Sequence, residues 1–245
     1  MSHVLIAAGA IAADTVTITD AGTLHHLRRV LRMKVGDHLE CFDGAGGSYA
    51  GPIIRSAPEA LVMAIERRAQ AAPSGARVWL AAALIKPERF EWLIEKAVEL
   101  GVERITPLIT SRTTVQTTVG QTRQARWQRI AAAAAAQCGR ATVPPLDAPE
   151  RFEQAVAKGR GAGLILLPTL RAKTSIAEAL SSVALAPKEI LVFIGPEGDF
   201  TLEEITFAQQ HGARAVRLGR LTLRSETAAI ALLAVVQHAA GAWAA

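Results

Sequence analysis

The chain has 245 residues, of which 50% are hydrophobic and 20% charged, a balance that supports a packed globule of one large or two modest domains and excludes a disordered chain. Its 27 basic and 22 acidic residues leave a net charge of +5 and a pI near 9.7, which favours a polyanionic partner. The opening MSHVLIAAGAIAADTV has no basic start, and no uncharged apolar run approaches the roughly 18 residues of a bilayer span, so a soluble, cytoplasmic chain without membrane contact is expected.

Residues 1 to 69 read as short strands broken by turns: VTIT at 16–19, HLECF at 38–42, SYAGPIIR at 48–55 and LVMAIER at 61–67, with DGAGG at 43–47 as a hairpin loop. The pattern predicts a small β-barrel. One helix interrupts it, with Leu24, Leu27 and Leu31 on one face and Thr23 as its cap. Across residues 21–36, Arg28, Arg29, Arg32 and Lys34 occur without an acid. They form the first of three basic islands and the expected grip on nucleic-acid phosphate in the barrel, against the plainer reading of a solvated helix face. The second island is Arg123, Arg126, Arg129 and Arg140; the third is Arg214, Arg217, Arg220 and Arg224.

AQAAPSGA at 69–76 has the composition of a linker, which divides the chain into domains at 1–69 and 77–245. Beyond it, apolar runs (VWLAAALI, RITPLI, LILLP, EILVFIG, RAVRLG) alternate with helical periods, the pattern of an α/β domain with a mostly parallel sheet covered on both faces. The first of these helices opens on Pro87, buries Phe90, Leu93, Ile94, Ala97 and Val98, and ends at Gly101. A later one has a Thr201/Glu204 capping box, a Phe200/Ile205 staple and Gly212 at its end. The last, 225–240, is apolar nearly all round, with Ser225 as cap and Glu226 at the positive dipole end. A dimer interface would bury its second side.

Several chemistries lose their support. Cys41 and Cys138 form no CxxC and lie near no histidine at ligand spacing, so both are expected as free thiols with no metal site. GRGAG at 159–163 precedes a strand, whereas a dinucleotide loop follows one, and no GxxxxGK[ST] occurs. NAD and ATP are therefore disfavoured, and no Ser-His-Asp arrangement stands out.

Two segments remain as candidate sites. IGPEGDFT at 194–201 joins a strand to a capped helix, the place where open α/β sheets bind ligands. Gly195 and Gly198 would permit close approach or positive φ, and Pro196 stiffens the turn; a tight turn without a ligand is the alternative. LGRLTLRSETAAI at 218–230 repeats the arrangement, with Arg224 unopposed by a local acid.

LIKPERFEWLIEKAVELGVERITPLITSR (84–112), RWQRIAAAAAAQCGR (126–140), IGPEGDFTLEEI (194–205) and LRSETAAIALLA (223–234) resemble the RsmE family of 16S ribosomal RNA uracil-N(3)-methyltransferases. HHLRRVLRMKVGD (25–37) and FDGAGGSYAGPI (42–53) are similar to that family's PUA-like barrel. The opening lacks the family's Arg-Phe-Phe start, Ala136 stands where a Glu is common, and Leu221 where Arg is expected.

The resemblance implies a C-terminal trefoil-knotted SPOUT methyltransferase domain, a homodimer, S-adenosyl-L-methionine as cofactor, and 16S ribosomal RNA of the small ribosomal subunit as partner. It places the cofactor among three loops: Leu166, Leu167 and Pro168; Ile194, Gly195, Pro196 and Gly198; and Leu218, Gly219 and Leu223. Arg224 is then the candidate cation for a uracil anion, and Glu197 the nearest acid, suited to a structural role or to that of a base. Another SPOUT activity, on a different base or a ribose 2′-hydroxyl, and a non-catalytic RNA-binding assembly protein are the competing expectations.

Overall fold

Period-two alternation up to residue 70, then apolar runs separated by helices, becomes two separate sheets in a computed structural model that describes residues 3–71, 76–181 and 188–242. By backbone proximity the chain forms two units, residues 1–72 with 132–143, and residues 73–131 with 144–245. Of the linker expected at 69–76, residues 72–75 lie outside the described residues, while 69 and 70 belong to a strand.

The first unit contains β1 (His3–Leu5), β2 (Ile11–Ala12), β3 (Thr15–Ile18), α1 (Ala21–His25), β4 (His38–Phe42), β5 (Gly47–Ala57), β6 (Ala60–Ala64) and β7 (Arg67–Gln70). The sheet order is β1-β4-β5-β6-β3-β2, with β7 also on β5; β1 pairs with β4 in parallel and the other pairs are antiparallel. The eleven-residue β5 serves both halves because a register shift between Ile53 and Arg55 bends it. Val16, Ile18, Leu39, Cys41, Ile53, Leu61 and Met63 point into the bend and, with Leu24 and Leu27 from the helical segment, make its core. Asp20, not Thr23, caps α1: its Oδ1 accepts from Thr23 N at 2.7 Å and Thr23 Oγ1 at 2.8 Å. The helix then widens into a π turn over His26–Val30, after which Arg32 sits at φ 55°.

The second unit contains β8 (Arg77–Ala83), α2 (Pro87–Glu99), β9 (Arg104–Ile109), the start of α3 (Gln121–Cys138), β10 (Glu150–Arg151), α4 (Phe152–Gly159), β11 (Leu164–Pro168), α5 (Ile176–Ser181), β12 (Glu189–Ile194), α6 (Leu202–Gln210), β13 (Arg214–Val216) and α7 (Ser225–Ala239). The end of α3 and the residues to 143 pack with the first unit, which periodicity within one helix has no means of showing. Every pairing in the second sheet is parallel, in the order β10-β9-β8-β12-β11-β13.

Both faces of this sheet are covered, so its strands are continuous apolar runs. On one face Trp79, Ala81, Ile165, Leu167, Leu191 and Phe193 pack with Phe152 of α4 and Ile205 and Ala208 of α6. On the other, α7 lies against β8, β12 and α2. The expected inner residues of α2, Phe90 to Val98, are buried. Gly101 follows at φ 81°, and Gln237 of α7 donates from Nε2 to the carbonyls of Leu100 at 2.9 Å and Gly101 at 3.0 Å. One polar side chain thus satisfies the last carbonyls of a buried helix end. Arg224, not Ser225, occupies the cap position of α7, and Ser225 is its buried first residue.

Candidate functional site

Parallel pairing puts the carboxyl ends of β12, β11 and β13, three adjacent strands, at one edge of the second sheet. Loops leaving neighbouring parallel strands at one edge must converge. They enclose a cleft whose walls are Pro168, Thr169 and Leu170 after β11; Ile194, Gly195, Pro196, Glu197 and Asp199 after β12; and Arg217, Leu218, Gly219, Leu221, Thr222 and Leu223 after β13, with Ser225 and Ala228 of α7 closing it.

The middle loop is braced from several sides. A Cβ on Gly195 would lie 3.1 Å from Cε2 of Phe200, a ring buried against Phe152, so any larger residue would need the ring or the loop to give by a few tenths of an ångström. Thr201 and Glu204 make the reciprocal cap of α6, and Glu204, 4% exposed, also accepts from Ser111 N at 2.8 Å. The loop after β9 is thereby tied to the helix that follows the cleft. Arg89 of α2 lies 3.7 Å from both Glu197 and Glu226, joining the middle loop to the first turn of α7.

Of the cofactor residues expected from the sequence, Pro168, Ile194, Gly195, Pro196, Leu218, Gly219 and Leu223 line the cleft, as does Glu197. Leu166 and Leu167 do not: both are fully buried in β11, because the sheet is covered on each face. Gly198 is also absent from the lining; its carbonyl accepts from Arg112 Nη1. Nor do Gly195 and Gly198 adopt positive φ, which falls instead on Asp199 at 60°. The side chain of Arg224 is exposed and is not among the lining groups, although the next residue, Ser225, is. Sequence reasoning missed Thr169, Leu170 and Arg217, which lie immediately beside the recognised loops; Asp199, Leu221, Thr222, Ser225 and Ala228 fall within the two candidate segments but were not singled out there as cofactor contacts. Leu221, 78% exposed, is a large apolar side chain at the rim.

In the third loop the backbone N–H groups of Leu218, Gly219 and Leu223 have no hydrogen-bond partner among the described residues. Free amides beside the aliphatic walls of Ile194, Leu218 and Leu223 fit a flat apolar ring with polar edges, such as an adenine.

In the first unit the basic island splits. Arg28 turns inward: Nη1 donates to Pro58 O at 2.8 Å, and Nη2 to Ala60 O at 2.9 Å and to Ala57 O. Three carbonyls of the β5–β6 turn converge there, and a guanidinium fork satisfies them. Arg29, Arg32 and Lys34 are exposed. Cys41 is buried and its thiol is pushed up to about 12 by that burial, whereas Cys138 is exposed. Among the described residues no cluster of His, Cys, Asp or Glu is placed to hold a metal, and no helix is long and apolar enough to cross a membrane.

Residues 72–237 match the family model described as an RNA methyltransferase domain, and residues 18–62 that of an RNA methyltransferase PUA domain. The chain is 35% identical over 235 residues to Ribosomal RNA small subunit methyltransferase E of Synechocystis, covering 96% of this chain and 76% of that protein. A crystal structure of Ribosomal RNA small subunit methyltransferase E from Neisseria gonorrhoeae bound to S-adenosyl methionine superposes with a TM-score of 0.84 at 27% identity, over 97% of each chain. A Legionella pneumophila protein described as a putative methyltransferase, in complex with the same cofactor, gives 0.83 at 30% identity, again over 97% of each chain.

Proposed function

We propose, from the premise that this chain belongs to the ribosomal RNA small subunit methyltransferase E family, that it transfers a methyl group from S-adenosyl-L-methionine to N(3) of one uridine in 16S ribosomal RNA. The observation that carries this reading is the cleft at the carboxyl ends of β11, β12 and β13, with its aliphatic walls and unpartnered backbone amides. The cofactor supplies a methyl group already activated on a sulfonium, so the chain's work is alignment and management of one proton.

Ile194, Leu218 and Leu223 flank the adenine in this reading, and the amides of Leu218, Gly219 and Leu223 fix its edge or the methionine part. Uracil N(3) carries a proton near neutral pH and passes it to solvent water, so that the nitrogen lone pair takes the methyl group as the C–S bond of the sulfonium breaks and leaves the neutral thioether. Arg224, at the cap of α7 beside the cleft, supplies the cation that stabilises the resulting uracil anion. Glu197, 3.7 Å from Arg89, holds that arginine rather than acting as the base.

The barrel at 1–69 grips RNA phosphate through Arg29, Arg32 and Lys34, and the domain at 77–245 carries the chemistry. Arg28 serves the barrel's own structure. The chain acts as a homodimer in the cytoplasm, with the small ribosomal subunit as its substrate. The outer side of α7, where Val235 is exposed, is an apolar surface that a second subunit would cover.

The test is transfer of a labelled methyl group from S-adenosylmethionine to small subunits from cells lacking this gene, followed by nucleoside digestion. N(3)-methyluridine in 16S RNA is expected. Another methylated nucleoside would overturn the target, and no transfer by the folded protein would overturn the activity.

A further inference from the structure

Asp199 is one of only two non-glycine residues at positive φ among the described residues. At φ 60° an L-residue is disfavoured, although Asp tolerates the region better than most. A turn alone would be served better by glycine. What glycine lacks is the carboxylate, and this one is fully engaged. Oδ1 accepts from Phe200 N at 2.8 Å; Oδ2 accepts from Thr169 Oγ1 at 2.7 Å and from Leu170 N at 3.2 Å. The backbone N–H of Asp199 donates to Pro196 O at 2.9 Å, closing the middle loop on itself.

Thr169 carries the connection onward. Its hydroxyl meets Asp199, and its backbone N–H donates to Val216 O at 3.0 Å, at the start of the third loop. It is 6% exposed. All three cleft loops are therefore joined in series through Thr169, and the link from the middle loop to the first is the Asp199 carboxylate.

We propose that Asp199 is a positioning residue for the cofactor cleft: its carboxylate latches the loop after β11 to the loop after β12 and holds both in the binding geometry before the cofactor arrives. This rests on the reading of the cleft as the S-adenosylmethionine site. Binding to a cleft already ordered loses less conformational entropy, so removing the latch weakens cofactor affinity more than it slows transfer at saturation.

The experiment measures S-adenosylhomocysteine affinity and methyl-transfer kinetics for the full-length wild type, Asp199→Gly, Thr169→Val and the double variant. Asp199→Gly suits the φ angle while deleting the latch. It is expected to raise the cofactor Kd and KM about tenfold, equivalent to about 1.4 kcal/mol, with kcat within about twofold. Thr169→Val, which keeps the shape and loses the hydroxyl, is expected to raise both about threefold, and the double variant to match Asp199→Gly alone. Asp199→Asn, which retains one acceptor oxygen, should fall between Asp199→Gly and wild type. Wild-type affinity in Asp199→Gly, full multiplication of the two losses in the double variant, or a fall confined to kcat would overturn the role of Asp199. A wild-type protein that bound no S-adenosylhomocysteine would overturn the cleft reading, and this proposal with it.

Discussion

Arg28 and Arg29 are adjacent in the sequence, yet Arg28 is turned onto the β5–β6 turn and Arg29 is exposed; the proposed function assigns structure to the first and RNA phosphate to the second. Replacing Arg28 with alanine removes three donations to the carbonyls of Ala57, Pro58 and Ala60. Hydrogen bonds to a charged group contribute about 1.5–3 kcal/mol each, but here they share one side chain and one of the three is exposed. A total loss of about 2–3 kcal/mol is expected. Lysine, a point charge that cannot fork, should recover about a third of it. Urea unfolding of the intact chain measures the loss, and titration with RNA at several salt concentrations measures the phosphate contacts. Each contact contributes about 0.7–0.9 to the slope of log K against log salt. The slope should be unchanged in Arg28→Ala and lower by about that amount in Arg29→Ala, whose stability should stay within about 0.5 kcal/mol of wild type. An Arg28→Ala protein of wild-type stability and reduced salt slope would refute the division.

Three other outcomes follow from the geometry. Glu204→Ala removes a buried carboxylate that accepts from Ser111 and Thr201; a loss of about 3 kcal/mol, or roughly 6–12 °C in Tm, is expected by calorimetry, and an unchanged Tm would contradict it. Gly195→Ala brings a Cβ to 3.1 Å from the buried Phe200 ring, so the ring or the loop must give. Cofactor affinity should drop about tenfold, or 1.4 kcal/mol, in an equilibrium titration, and full affinity would show that the loop has slack. Cys41, raised from 9.0 to about 12 by burial, should resist alkylation of the native protein at pH 8 while the exposed Cys138 reacts. Because the unfolded thiol ionises near 9 and the folded one does not, the stability tied to Cys41 is full below pH 9 and is lost between there and about pH 12; rapid labelling of both thiols in native protein would count against its burial.

Much of the second unit was legible because its signals are local. The capping box at Thr201 and Glu204, the inner face of α2 and the strand-to-helix placement of GPEG depend on residues within a few positions of one another, and all are present. The caps at Asp20 and Arg224 were misplaced by one to three residues, since several neighbouring polar residues satisfy the same pattern. Leu166 and Leu167 belong to a motif that touches the cleft only at its last residue; a fully apolar strand does not announce where it stops being core.

The sequence by itself determined the two rhythms of the chain, the parallel character of the second sheet, and two strand-to-helix segments as candidate sites, because hydrophobic period, capping and turn chemistry act over short distances; the remaining loop, after β11, came from the family resemblance. Tertiary structure alone decided which of those loops meet. The adjacency of β12, β11 and β13, the inward turn of Arg28 onto a hairpin some thirty residues away, and the latch between Asp199 and Thr169 are contacts across 29 to 32 positions or across strand order. No periodicity encodes such contacts: they exist only once burial of the apolar faces has brought distant segments to the same place.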